Sequence, residues 1–430
     1  MGSAIVIGTG VIGAATALAL ARAGWIVTSV DRNAMAGHGS TSASSGVIRM
    51  HYSTREGTAL SWEGQHHWAD WAGYLGLPDG TALAPFRKVG CLVMKHASNG
   101  DLRRNMEHSE ALGIPFEVWE PETIRKRLAQ PDLRCFWPPR RPDHGAFGMP
   151  TGGNIAGGVF WPDAGYVSDP ALAAQNLLAA AAARGAQIVR GEVTGILRDT
   201  RVRGLHLADG RELRADVVVN VGGPASSRLN RMAGVAAGMA VTTRPQRMET
   251  AYLPGPPDFD MARDGIVVSD ADIGCYAKPD VGGGVSVGTE GPACDTPDWI
   301  EGDTTERDTV GEQAEVQAMR YAQRIPTVPL PRRMAGAVGI YDVTEDWLPI
   351  YDRSDLPGFY MACGTSGNQF KNAPVAGRIM AALIAHCEGG GDHDRTPLAF
   401  TLPYTGNTID LGHFSRLRQA NPASSFSVLG

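Results

Sequence analysis

Cysteine is scarce in this chain, and what there is does not cluster. The six residues in 430, Cys91, Cys135, Cys275, Cys294, Cys363 and Cys387, lie far apart. None forms a C-x-x-C pair, and no histidine group accompanies them at zinc-binding spacing, so no metal site is expected. Scattered thiols of this kind fit reduced cysteines and a cytoplasmic setting. An excess of basic charge is also missing. The 39 Lys and Arg against 45 Asp and Glu give a net charge of −6, which leaves no basic face for nucleic acid. No segment reaches the roughly 18 uninterrupted apolar residues that a membrane-spanning helix needs, and no membrane partner is expected. The apolar stretch 4–31, "AIVIGTGVIGAATALALARAGWIVTSVD", lacks the basic segment and the small-residue cleavage site of a signal peptide. No repeat of solenoid type is visible.

What the chain does have is length, apolar residues and glycine. Its 430 residues, 43% hydrophobic and 20% charged, suffice for two domains or one large composite with a sizeable core. Its 54 glycines suit an α/β protein with many tight loops. The stretch 4–31 reads as strand, helix and strand. "AIVIG" is a short buried strand, "VIGAATALALARAG" a helix closed by Gly24, and "WIVTSVD" a second strand ending on Asp31. Gly8, Gly10 and Gly13 fall in the first turn. There Gly8 permits the tight turn, Gly10 admits a pyrophosphate to the backbone, and Gly13 lets helix and strand pack closely. The helix N-terminus at Val11 and Ile12 offers free N–H groups to phosphate. Asp31 stands where a carboxylate accepts from ribose hydroxyls and disfavours a 2′-phosphate. A glycine triplet alone is weak evidence, but strand, helix, strand and acid in this order make a dinucleotide site.

The motif does not choose between a nicotinamide and a flavin dinucleotide. Further backbone-exposing pieces bear on that. The Gly/Ser-rich loop after Asp31 and Arg32 contains Gly39, Ser40, Thr41, Ser44, Ser45 and Gly46. Segments 185–199, which include Val193, and 205–226 read as a hairpin and strands, the latter ending at Gly222, Gly223 and Pro224. Near the C-terminus, 358–387 reads as strand, glycine-rich turn and a helix from about Pro374, the turn holding Gly364, Gly367, Asn368, Gln369, Phe370 and Lys371. Three separate pieces of this kind suit a long cofactor bound extended across a composite domain.

At "GSTSASSGVIRMHY", "GGVFWPDAGYVSDPALAAQNLLAAAAARGA" and above all "YDVTEDWLPIYDRSDLPGFYMACGTSGNQFKNAPVAGRIM", the chain resembles the glycine oxidase, sarcosine oxidase and D-amino-acid oxidase group of FAD-dependent oxidoreductases, over nearly its whole length. The resemblance implies an α/β fold: a Rossmann-like, GR2-type FAD-binding domain with a second, α+β substrate domain built on a large mixed sheet. It implies a split FAD domain of residues 1–85, 150–230 and 330–388, a substrate domain of 86–149 and 231–329, and a C-terminal tail, 389–430, that folds back on the FAD domain or meets a second chain. It implies oxidation of a C–H beside an amine nitrogen, with hydride passing to flavin N5. By the same resemblance, Arg49 and Lys371 hold a substrate carboxylate, a task that suits the planar fork of arginine. His51 and Tyr52 approach the flavin, His51 as a candidate acceptor of the amine proton. Tyr252, Tyr276 and Tyr341 fall in segments that line the substrate side.

Departures from the family pattern carry information of their own. Gly339 stands where some relatives attach FAD through a cysteine, and Ala43 where others use a histidine, with His38 out of register; noncovalent FAD is expected. Ser286 stands where sarcosine oxidases place a lysine over the flavin to help O2 accept an electron, and Lys278 is the nearest lysine. The acceptor is therefore O2 or another molecule. Two further readings stay open at this stage: an FAD-dependent 2-hydroxy-acid dehydrogenase, and the FAD subunit of a multi-component amine dehydrogenase.

Overall fold

The computed structural model describes residues 2–96, 99–302 and 307–429. The strand–helix–strand expected at the start forms as β1 (Ser3–Ile7), α1 (Val11–Arg22) and β2 (Ile26–Asp31). β1 is the central strand of a six-stranded sheet, parallel to β2 on one side and to Val217–Asn220 on the other. Gln187–Arg190 extends the sheet beyond β2, and Phe359–Cys363 extends it beyond Val217–Asn220. All these pairings are parallel, and the antiparallel strand Ile350–Arg353 closes one edge. The central strands are largely apolar, with Ala4–Ile7 and Val217–Val219 buried, because both faces are covered. On one face α1 packs against the helices Pro170–Ala182 and Ala373–Glu388. Every residue of α1 from Val11 to Leu20 is buried, so its alanines serve close packing from all sides rather than one amphipathic stripe. On the other face lie the antiparallel strands Val193–Arg198, Val202–Leu207 and Glu212–Arg214, together with the helix Ser226–Ala233.

A second, larger sheet forms the substrate side. Its order runs Asp298–Trp299, Arg244–Leu253, Val285–Thr289, Cys275–Pro279, Val267–Asp270, Cys91–Met94, Gly158–Trp161, Glu117–Trp119, with Ala335–Val343 paired along Arg244–Leu253. Pairing is antiparallel except between Val267–Asp270 and Cys91–Met94, so the sheet is mixed, as expected. Strand alternation gives it two different faces. Ala251, Leu253, Cys275, Ala277, Val285 and Val287 pack on the helix Glu312–Arg324 through Ala314, Ala318 and Tyr321. Met248, Thr250, Val267, Ser269 and Tyr276 face the other way, into a large cavity.

Two strands fall outside the segmentation read from sequence. Gly158–Trp161 and Ala335–Val343 lie in segments assigned there to the FAD domain, yet both pair within the larger sheet. The physical reason is pairing: Gly158–Trp161 is flanked on both sides by strands of the larger sheet, Cys91–Met94 and Glu117–Trp119. Ala335–Val343 follows the curved strand Arg244–Leu253 from Tyr252 to Arg244, and the chain then enters the six-stranded sheet.

The tail docks on the FAD-binding unit. Ala399–Thr401 and Thr408–Asp410 form a hairpin, whose Tyr404 and Thr405 amides donate to the buried Glu63 carboxylate. Arg416 pairs with Asp352 and Asp394, and Arg418 with Asp346. No helix among the described residues is long and apolar enough to cross a membrane, and no metal-binding cluster occurs among them. All six cysteines are free.

Candidate active site

A cavity of about 600 Å³ lies between the two sheets. Its floor is the first turn. Gly8 sits at φ +107°, where a side chain is strained, and a Cβ there would also meet the Val221 carbonyl at 2.3 Å. The N-terminus of α1 has no side-chain cap at Gly10. Thr41 Oγ1 accepts from the Val11 amide at 3.1 Å and the Ala14 amide closes the first turn onto the Gly10 carbonyl at 2.9 Å, which leaves the Ile12 and Gly13 amides for a phosphate. Asp31, at the end of β2, receives the Thr9 amide and hydroxyl at 2.7 and 2.8 Å.

The sequence-derived candidates converge here. Gly8, Gly10, Val11, Ile12, Gly13, Asp31, Arg32, Gly39, Ser40, Thr41, Ser44, Ser45, Gly46, Val193, Gly222, Gly223, Gly339, Gly367, Asn368, Gln369, Phe370 and Lys371 all line the cavity. Gly364 does not. It holds the turn after Phe359–Cys363 at φ +67°, its amide donating to Asp342 at 2.7 Å. Ala43 and Gly339 face one another, with an ideal Cβ at Gly339 only 3.1 Å from the Ala43 methyl. The two positions thus meet on one wall of the cavity, and neither carries a nucleophile.

Arg49 and Lys371 reach the same cavity from opposite ends of the chain, each buried. Arg49 donates to the carbonyls of His51 and, at 2.7 Å, Val428. Lys371 Nζ donates to the Tyr52 hydroxyl at 2.7 Å and the Asn368 carbonyl at 2.5 Å. Neither has an acidic partner among the described residues. Glu290 stands behind the cavity wall, taking a hydrogen bond from Ser269 at 2.5 Å. Burial pushes its pKa up to about 8, which weakens it as a counter-charge to the two cations. Burial, with Arg49 nearby, pulls the Lys371 ammonium well below the ordinary lysine range.

Tyr52 and His51 do not line the cavity. The Tyr52 ring backs both cations, with Arg49 Cζ 4.6 Å and Lys371 Nζ 4.8 Å from its centroid, and its hydroxyl donates to the Asn368 carbonyl at 2.7 Å. Its ring lies against both cations, outside the cavity lining. His51 packs on Trp161 at 4.6 Å between ring centroids, with neither ring nitrogen bonded. Burial first, then Arg49 and Lys371, push its pKa well down and keep it neutral. Tyr276 and Tyr341 line the cavity; Tyr252 is partly exposed and does not. Ser286 and Lys278 oppose each other on neighbouring strands, both bound to Asp280, and neither reaches the cavity. Residues with no sequence signal also form the walls: Cys91, Met248, Thr250, Ser269, Val428 and Leu429.

A family model described as "FAD dependent oxidoreductase" matches residues 3–383. The chain belongs to the FAD-dependent oxidoreductase family. None of the curated proteins matches it in sequence. Among solved structures, glycine oxidase from Geobacillus kaustophilus is similar at 22% identity and a TM-score of 0.72, covering 98% of this chain and 100% of that one. L-proline dehydrogenase from P. horikoshii is similar at 21% identity and a TM-score of 0.70, over 91% and 94%. FAD-bound L-α-glycerophosphate oxidase from Mycoplasma pneumoniae is similar at 17% identity and a TM-score of 0.69, over 89% and 94%. These likenesses show a shared fold.

The residues of this oxidoreductase fit FAD. Gly10 has open space where its Cβ would stand, apart from Thr41 Oγ1 at 3.1 Å, which is the approach a pyrophosphate needs. Asp31 and Val193 lie on the cavity wall beyond β2. The loop 39–46 runs along the cavity from Thr41, bonded to the Val11 amide, to Ser45, whose hydroxyl lies 2.8 Å from that of Tyr276, and the turn 367–371 brings Lys371 to the same cavity as Arg49.

Proposed function

We propose that the chain oxidises the C–N bond of a small amine bearing a carboxylate: an amino acid, an N-alkyl amino acid or a cyclic imino acid. The observation that carries this reading is the pair of buried cations, Arg49 and Lys371, on the cavity wall without an acidic partner. Two buried cationic groups without an acid cost solvation, which already draws Lys371 toward its neutral form, and an anionic substrate group offsets that cost. The fold shared with a glycine oxidase and a proline dehydrogenase supports an amine beside that carboxylate.

Bound FAD supplies the hydride acceptor. Gly10, Val11, Ile12 and Thr41 would hold its pyrophosphate in the turn that Gly8 and Gly13 shape, Asp31 its ribose, and Ser44–Gly46 with 367–371 its ring end. The protein's own part is orientation. Arg49 and Lys371 fix the carboxylate at one end, and the sheet residues Met248, Thr250, Ser269 and Tyr276 cover the substrate and exclude water. An amine that arrives uncharged needs no strong base. The isolation of His51 from the cavity accords with a reaction driven by positioning. The acceptor of the electrons is O2 or a partner molecule. Neither Ser286 nor Lys278 reaches the cavity, which supports an acceptor other than O2. The same two cations serve a 2-hydroxy acid, and the glycerophosphate oxidase shows that the fold is also used on a carbon bearing oxygen.

The test is Arg49→Ala with FAD retained. Loss of a bidentate charged contact should raise KM for a carboxylate substrate by roughly 100-fold. An unchanged KM refutes the carboxylate assignment. Anaerobic bleaching of the flavin band by a panel of amino, N-methyl amino, imino and 2-hydroxy acids names the substrate class, and admitting air separates oxidase from dehydrogenase.

A further inference from the structure

Residues 428 and 429 reach the cavity. Val428 and Leu429 line it, and the Val428 carbonyl accepts a hydrogen bond from Arg49 Nη2 at 2.7 Å. The segment before them is fastened down. Arg418 pairs with buried Asp346 at 2.8 Å, the Asn421 amide donates to the same carboxylate at 3.2 Å, and Ser424 Oγ donates to the Asp346 carbonyl at 2.5 Å. Arg104 adds a hydrogen bond to the Ala423 carbonyl at 3.3 Å. Beyond Ser424 the character changes. Among the described residues, Ser425–Leu429 make only the Arg49 hydrogen bond to the body of the molecule; their other bonds run within the tail, Ser425 to Ser427, Phe426 to Ser424 and Leu429 to Ser427. Phe426 is half-exposed and holds φ +51°, a left-handed conformation costly for a bulky side chain. The strap is thus anchored at its base, strained at its bend, and held at its tip by the arginine that the proposed substrate needs.

We infer that residues 425–429 are a displaceable strap whose Val428 carbonyl occupies Arg49 in place of the substrate carboxylate, so that substrate binding and strap release are one exchange. The inference rests on reading Arg49 as the carboxylate-binding group. The chemistry favours exchange over permanent blockage. A peptide carbonyl offers Arg49 a single neutral acceptor, whereas a carboxylate offers two charged ones in the geometry of the guanidinium fork. The strap satisfies a buried cation while the site is empty and yields to an anion. It also makes Val428 and Leu429 part of the substrate wall, so the access cost falls on every carboxylate alike.

The experiment uses the FAD-loaded enzyme and acetate, a carboxylate that cannot be oxidised at an amine carbon. Acetate affinity is measured by calorimetric titration for the full chain and for a variant ending at Ser424, which keeps every anchor on Asp346. Removing a competing hydrogen bond from a charged donor should tighten acetate binding by roughly tenfold. The gain should vanish when Arg49→Ala is combined with the truncation. Equal affinity in full and shortened chains overturns the strap, and so does an equal gain in the Arg49→Ala background. If Arg49→Ala leaves acetate affinity unchanged in the shortened chain, the carboxylate reading itself fails. If it weakens affinity while the truncation has no effect, only the strap fails. Hydrogen exchange on the intact chain covers a shortened protein that does not fold. The amides of 425–429 should exchange faster with saturating acetate, and unchanged exchange overturns the inference.

Discussion

The first turn contains two glycines that an alanine substitution should separate cleanly. At Gly13 an ideal Cβ lands 2.0 Å from the Gly8 carbonyl oxygen and 2.9 Å from its carbon. Both atoms belong to the backbone that leaves β1, so no side chain can rotate away, and α1 must move off the sheet. Overpacking of this kind costs about 3 kcal/mol or more. At Gly10 the nearest heavy atom is Thr41 Oγ1 at 3.1 Å, the end of a side chain. The backbone there, φ −62° and ψ 174°, is open to alanine. Gly10→Ala should therefore leave the apoprotein within about 0.5 kcal/mol of wild type. Its methyl group points into the space that a pyrophosphate needs, at the mouth of the free amides of α1. Losing one charge-assisted hydrogen bond costs about 2 kcal/mol, roughly thirtyfold in FAD affinity. Urea unfolding of the two apoproteins measures the first quantity, and titration of FAD fluorescence the second. The reasoning is refuted if Gly10→Ala binds FAD as tightly as wild type, or if Gly13→Ala folds with undiminished stability.

Arg324 is buried and joins Asp270 at 2.6 Å, Asp272 at 2.8 Å and the carbonyls of Asp132 and Arg134; Arg324→Met strands two buried acids and should cost about 3–5 kcal/mol in urea unfolding, where a loss under about 1 kcal/mol contradicts the accounting. Burial pushes the pKa of His67 down to about 3. The unfolded chain takes up a proton below the ordinary histidine value while the folded chain does not. Stability should therefore fall with pH between about 6.5 and 3, by at most about 1.4 kcal/mol per pH unit from this residue, and His67→Phe should flatten that slope in denaturant titrations. Burial and Arg49 lower the Lys371 pKa, so acetate binding should weaken as pH rises through a value below the ordinary lysine range of about 10.4, a limb that Lys371→Met removes. Binding that stays flat to pH 10 speaks against a charged Lys371 in the site.

Much of the cofactor floor was legible because backbone chemistry leaves marks in sequence. Gly8, Gly10 and Gly13 stand at one spacing for three different steric reasons, and the structure assigns each its neighbour: Val221 behind Gly8, Thr41 before Gly10, Gly8 beneath Gly13. Asp31 was readable because a strand must end before its acid can meet a ligand. The turn 367–371 was readable from its place between a buried strand and a helix. Gly364 shows the limit of this logic. It is conformationally required at φ +67°, yet its amide serves Asp342 and not the cavity, and sequence cannot tell a glycine that shapes a turn from one that faces a ligand.

The substrate half was far less legible, since its wall is made of alternate residues from distant strands. Ser269, Thr250, Met248 and Tyr276 belong to three strands of one sheet, and only register brings them to one face. His51 and Tyr52 looked alike in sequence, two and three steps from Arg49, and the structure separates them by what lies beneath each ring. Tyr52 has two cations at its face and a carbonyl at its hydroxyl; His51 has Trp161 and no polar partner. Val428 carries no chemical mark at all, because what it brings to Arg49 is a backbone carbonyl. A group every residue possesses becomes functional only by placement, and that placement depends on Asp346 and Arg418 meeting across 72 positions of chain. The anchors are the part of this device with a sequence signature in principle, a buried acid and a late arginine, and the tip they aim is the part with none.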